Sequence, residues 1–183
     1  MPIKITPDAT IEIGGAPLAQ HNPQLAGLLG AFAAEWGNVE GVLAFVFAIL
    51  LRVDSRVSMG ILDRVSSTRN KLKIIKFTVQ KLEQDESIKR DFLSGIKQIN
   101  DLLETRNNFI HGRWGISDAH PAHLVWMRET FSDRNSYIGY DEGDLTAEIL
   151  RVAEVRGELQ LTLLRRERRD KGSSPHAPSS GAP

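Results

Sequence analysis

The chain has no cysteine among its 183 residues, which removes disulfides, thiolate metal sites and a cysteine nucleophile and is compatible with a reducing cytoplasm, the expected location. Nor is there an excess of charge of either sign. Lys+Arg and Asp+Glu both number 23, so no overall positive field announces a nucleic-acid partner. No phosphate loop, nucleophile elbow or dinucleotide fingerprint is present, and no cofactor is expected. The N-terminus lacks the basic-then-apolar layout of a signal peptide. Residues 25–51 are apolar, but Glu35, Asn38 and Glu40 interrupt them, and the unbroken run 41–51 is too short to span a bilayer. A buried bundle helix is expected there, with no membrane association.

The length suits one domain with tails. Residues 1–21 mix Pro, Gly and a short alternating piece, and are expected to be loosely attached. Asn22 and Pro23 then read as N-cap and first helical position, followed by Leu25, Leu28, Leu29, Phe32, Trp36, Val39, Leu43, Val46 and Leu50 at helical spacing to about Arg52. A shorter helix is expected from Ser55 to about Val65. Ser66 or Ser67 is placed to cap a third, whose stripe is Leu72, Ile75, Val79 and Leu82. Asp85 opens a long fourth helix, with Ile88, Phe92, Ile96, Ile99, Leu103 and Ile110 along one side. After Gly112 and Gly115 the period changes. Residues 123–128 and 136–140 read as two strands of a hairpin with 133–135 in the turn, and Asp144 caps a last helix through Leu145, Ile149, Val152, Val155, Leu159 and Leu163. The helical domain is expected over 22–171, and the Ser, Pro and Gly rich residues 172–183 are expected to be disordered. The predicted class is mainly α: a helical bundle with a small β-hairpin before the last helix.

Chemistry is suggested by Arg106, Asn107 and His111, an Arg-Asn-x-x-x-His run within TRNNFIHGRWG at the end of the long helix. An arginine separated from a histidine by four to six residues occurs three times, since Arg113 with His120 and Arg169 with His176 also fit. Asn107 and the preceding helix set Arg106 apart; by average residue usage Arg-Asn-x-x-x-His arises by chance in roughly one chain of this length in a hundred. Arg106 falls on or beside the apolar side of its helix, so it must be paired or face a cleft. Glu35 and Glu40 are the carboxylates that could anchor it. On a regular helix Asn107 and His111 share a face, whereas Arg106 and His111 point about 140° apart. One helix therefore presents the set awkwardly, and two copies across a two-fold axis would surround a phosphate more readily.

Other groupings carry less. Asp118, His120 and His123 are close enough to imagine a metal site, but a solvated turn is the better reading and no metal is expected. Trp126, Tyr137 and Tyr140 could stack bases if exposed or cover the core. Between Arg52 and Leu82 basic residues outnumber acidic ones, including Arg69, Lys71, Lys73, Lys76 and Lys81; they make either a phosphate-attracting face or a solvated helix face.

Helices first, an Arg-Asn-x-x-x-His run closing the penultimate long helix, then a strand excursion and a final helix: this order resembles the HEPN superfamily over about residues 23–166, with the motif as its specific part. Members are helical bundles around an Arg-x(4 to 6)-His motif, often with a polar residue after the arginine, here Asn107. Many are metal-independent ribonucleases working as dimers. The resemblance implies an endoribonuclease acting through the RNA 2′-hydroxyl, with Arg106, Asn107 and His111 catalytic, and a homodimer. It also implies a possible role as toxin or defence effector, with an antitoxin or regulatory protein as a further possible partner. Its alternative is a catalytically silent HEPN module binding RNA, nucleotide or a protein. In toxins of this superfamily that are paired with a nucleotidyltransferase antitoxin, a tyrosine often stands two residues after the histidine; here that position is Arg113.

Overall fold

Two short strands, β1 (Ile3–Ile5) and β2 (Ile11–Ile13), and a helix α1 (Gly15–His21) come first in the computed structural model, which describes residues 1–5, 11–127 and 137–172. They lead into α2 (Pro23–Leu51), started as expected by Asn22, whose side chain accepts from the Leu25 N–H at 3.2 Å, and ended by Arg52 in the left-handed conformation at φ 56°. Next come α3 (Ser55–Asp63), α4 (Thr68–Leu82) and α5 (Glu86–Asp101), capped in turn by Asp54, Ser67 and Asp85. Two N–H groups, of Ile88 and Ser87, donate to the Asp85 carboxylate, and the Ile88 bond is the main reason its pKa lies below the usual carboxylate value. The chain continues through α6 (Leu103–His111), strands β3 (Arg113–Ser117), β4 (Leu124–Met127) and β5 (Tyr137–Tyr140), and α7 (Glu142–Gly172). The fold is mainly α.

α2 is the centre. Phe32, Trp36, Val39, Leu43, Val46 and Leu50, the stripe read from the sequence, are all buried, and α2 packs chiefly on α7, with α3, α4 and α6 around it. Its length and apolar composition would also suit a membrane crossing, but here that apolar surface makes the core of the bundle. α5 and α7 meet closely at Gly95, where a Cβ would lie 2.6 Å from Leu159 Cδ2. Ion pairs then fix α7 along the α4–α5 corner: Arg166 with the buried Glu83 at 2.6 Å, Arg165 with Asp91 at 2.7 Å and Arg169 with Asp85 at 2.7 Å.

Three expectations are corrected. The long motif helix is two helices, α5 and α6, with Leu102 between them. The Leu102 N–H donates to both Gln98 O and Ile99 O, each at 3.1 Å, so the helix tightens at this turn, where Leu102 and Leu103 are both buried. The last helix is capped by Asp141, not Asp144: Asp141 accepts from the Asp144 N–H at 2.8 Å and Asp144 accepts from the Asp141 N–H at 3.4 Å, a reciprocal capping box.

The third correction concerns the hairpin and the N-terminal segment. β4 and β5 pair antiparallel as expected, Trp126 opposite Ile138, but they sit within a five-stranded antiparallel sheet of order β1-β5-β4-β3-β2. The segment expected to be loosely attached supplies both edges, Ile3 opposite Gly139 and Ile13 opposite Gly115, and Ile5 and Leu18 are buried. The short alternating piece in this segment is β2, but alternation over three residues does not show which strand it pairs with, and the backbone bonds that hold both edges leave no trace in the sequence. Leu124 and Trp126 face the bundle, while Val125 and Met127 pack with Ile3, Ile5 and Tyr137 on the other side. The expected turn at 133–135 and the expected disordered residues 173–183 lie outside the described residues.

Candidate functional site

The sheet's role near the motif is to hold the end of α6. The last carbonyls of a helix lack partners within it; here Trp114 Nε1 donates to Phe109 O at 3.1 Å, and Trp126 Nε1 donates at 3.1 Å to Asn108 O, which also accepts from the Gly112 N–H at 2.9 Å. Phe109 anchors the helix from inside, with ring centroids 4.7 Å from Phe32, 5.4 Å from Trp114 and 5.2 Å from Tyr140. Gly112 closes the helix where a Cβ would collide with Asn108 O and the Trp126 indole. Gly112→Ala is therefore expected to destabilise the fold by about 2–3 kcal/mol through overpacking, read as a lowered midpoint in urea. An unchanged midpoint would mean that the sheet can move away from α6 at little cost.

So held, α6 brings the three motif residues together within one chain. Arg106 Nη1 lies 2.9 Å from His111 Nε2 and donates to Asn107 Oδ1 at 3.0 Å. The expectation that one helix presents the set awkwardly is corrected: the long arginine side chain crosses the angle between the two Cα positions. Because a guanidinium only donates, Nε2 is the atom of His111 that can accept at this contact. His111 and Asn107 are exposed and Arg106 is half-buried, with its guanidinium 5.9 Å from the centroid of the Trp36 ring. Arg106 Nε is buried and finds no hydrogen-bond acceptor among the described residues. A cationic donor in that position suits an oxygen-rich ligand.

Neither carboxylate considered as an anchor for Arg106 takes that part. Glu35 pairs with Arg156 of α7. Glu40 accepts from Trp36 Nε1 at 3.1 Å and from the Thr68 hydroxyl at 3.5 Å, and lies 3.8 Å from Lys71 Nζ. Trp36 thus has two roles: its face lies under the arginine and its N–H fixes Glu40. The motif opens into a cleft of about 600 Å³ between α4 and α6, lined by Glu40, the serines and threonine that start α4, Arg69, Lys71 and the three motif residues. Arg69 and Lys71 belonged to the basic run; that they face the motif follows only from the packing of α4 on α2. Trp36 was legible in the sequence as a core position alone.

The remaining groupings fall to their structural readings. Trp126 is buried with its N–H committed, and Tyr140 meets Phe109 and Trp114 edge-on. Tyr137 packs on the outer face of the sheet. His120 and His123 rings lie 6.1 Å apart, but among the described residues no group of three His, Asp or Glu side chains converges on a point where a metal could sit, Asp118 included. Arg113 and His120 lie at opposite ends of β3 and its following turn, and Arg169 sits on α7 while His176 lies outside the described residues. The chain matches no protein-family model, no curated protein and no solved structure, so the HEPN resemblance rests on the motif and the order of the elements.

Proposed function

We propose that this protein is a metal-independent endoribonuclease of the HEPN type, acting on RNA in the cytoplasm. The observation that carries the reading is the 2.9 Å contact between Arg106 and His111 in an open cleft with two further cations. A bound phosphodiester offers Arg106 better acceptors than a neutral imidazole. As the guanidinium turns to the phosphate oxygens, it leaves the Nε2 lone pair free. Nε2 then takes the proton of the ribose 2′-hydroxyl, the 2′-oxygen bonds to phosphorus, and Arg106 stabilises the charge that gathers on the equatorial oxygens. The bond to the 5′-oxygen breaks as that oxygen takes a proton. Asn107, held by Arg106 and on the exposed side of α6, keeps the guanidinium oriented.

In-line displacement sets the attacking and leaving oxygens on opposite sides of phosphorus, so one imidazole cannot serve both. A second copy of the chain, bringing its own His111 across a two-fold axis, would supply the acid. The need for a separate acid is the physical reason for a homodimer.

The first expected result is cleavage of single-stranded RNA, and not of DNA of the same sequence, in the presence of EDTA, leaving a 2′,3′-cyclic phosphate and a 5′-hydroxyl. Mass spectrometry of the fragments reads both ends. Activity that returns only with a divalent ion would reject this mechanism, and lack of cleavage across a broad RNA panel would favour the silent binding module.

A further inference from the structure

The basic run of α4 does more than line the cleft. Arg69, which reaches the cleft beside the motif, also lines a second groove of about 660 Å³ that runs between α4 and α5. Lys73 and Lys76 from α4 and Arg90 and Lys97 from α5 stand along it, and among the described residues no carboxylate lines it. Arg90 and Lys97 each have a carboxylate at 3.5 Å on their own helix, Asp91 and Asp101, whereas Arg69, Lys73 and Lys76 form no ion pair among the described residues. The net-neutral composition hides this face, because Asp91 and the cap residue Asp85 also hold Arg165 and Arg169 of α7. The floor between the cations is aliphatic, with Leu93 half-buried and Leu72 and Ile96 buried.

We propose that this groove is a binding track for single-stranded RNA, guiding the strand into the motif cleft through Arg69. The proposal rests on the ribonuclease reading for the identity of the occupant, but binding along the groove requires no cleavage. Rows of cations match a row of phosphates, and Arg69 and Lys76 are about 10 Å apart along α4, room for more than one phosphate. The aliphatic floor accepts ribose and base faces, which a single strand exposes and a duplex stacks away. A single strand is also the form in which the 2′-oxygen can line up behind phosphorus. An acidic protein segment would satisfy the cations but makes no use of the continuity with the Arg106–His111 cleft.

The test is equilibrium binding of a fluorescent single-stranded 2′-O-methyl RNA, which cannot be cut by 2′-hydroxyl attack, measured by anisotropy over a range of salt. The triple variant Lys73→Gln, Lys76→Gln, Lys97→Gln removes three exposed cations. The slope of log affinity against log salt is expected to shrink by about 2, at about 0.7 for each phosphate contact of a single strand, with affinity at low salt falling at least about tenfold. The melting temperature should stay near that of the wild type, so the loss would not be one of folding. Arg56→Gln with Lys81→Gln, two cations that line neither groove nor cleft, should leave affinity and slope unchanged.

Wild-type affinity and slope in the triple variant would overturn the track, as would equal losses in the control pair, which would indicate a diffuse field. Absence of RNA binding by the wild type would overturn it too. Tighter binding of a poly-glutamate peptide than of RNA, lost in the same triple variant, would reassign the groove to an acidic protein. Groove-dependent binding without any cleavage of ordinary RNA would keep the track and discard the ribonuclease, whereas cleavage with groove-independent binding would do the reverse.

Discussion

Replacing His111 by alanine is expected to lower the rate of RNA cleavage by more than about 10²–10⁴-fold, the usual contribution of one positioned acid or base, because the dimer loses its base and its acid together, while the melting temperature changes little. The rate effect follows from the position of the His111 imidazole beside Arg106 in the cleft. Among the described residues no other imidazole lines that cleft, and the second copy carries the same substitution, so water would have to replace both the base and the acid. The stability effect follows from exposure: His111 buries no apolar surface, its one side-chain contact in the site is with Arg106, and surface substitutions of this kind usually stay within about 0.5 kcal/mol. The two readouts, steady-state cleavage and thermal melting, separate the alternatives. A variant that unfolds would make His111 a structural residue of the α6 terminus. A variant that melts normally and still cuts would remove it from the mechanism.

For Arg106→Ala the expected loss is about 10²–10³-fold in kcat, as for removal of one donor to a developing oxyanion, accompanied by weaker RNA binding. A large loss of stability would be expected had Arg106 held a buried carboxylate, because an uncompensated buried charge is costly. Glu35 and Glu40 are partnered elsewhere, so the fold loses chiefly the contact of the guanidinium with Trp36, about 1 kcal/mol. Arg106→Lys sharpens the test. Lysine keeps the charge but not the planar fork, so it should recover most of the binding and little of kcat. Full recovery of kcat by lysine would mean that Arg106 acts as a point charge and that donor geometry is irrelevant to the step.

Much of the bundle was legible in the residues because helices announce themselves locally. Asn22 and Pro23 mark the start of α2 by cap chemistry, Ser67 and Asp85 do the same for α4 and α5, and the stripe from Phe32 to Leu50 repeats at a period that only one face of a helix satisfies. What escaped was held from a distance. The edge strands β1 and β2 exist through backbone bonds to β5 and β3, more than a hundred residues away along the chain. The break at Leu102 is a tightened turn, with its N–H shared between Gln98 O and Ile99 O, and apolar spacing runs through such a turn without marking it.

The motif divides in the same way. The residue types and spacing of Arg106, Asn107 and His111 were sufficient to single them out, because few side chains combine a fixed cation, an amide and an imidazole within six positions. Their meeting in one chain was not deducible from helical angles alone, since those angles place Cα atoms and leave the reach of an arginine open. Trp36 and Lys71 joined the site only when α2 and α4 packed beside α6.

By itself, then, the sequence determined the starts and buried faces of α2, α4 and α5 and the three residues worth testing, all of which depend on neighbours within a few positions. Only the tertiary structure decided that indoles from the sheet cap the motif helix, that Glu40 goes to Lys71 rather than Arg106, and that Arg69 joins a cleft to a basic groove. Those outcomes depend on which surfaces meet across the fold, and hydrogen bonds and ion pairs between distant elements are selected by packing, which no local pattern encodes.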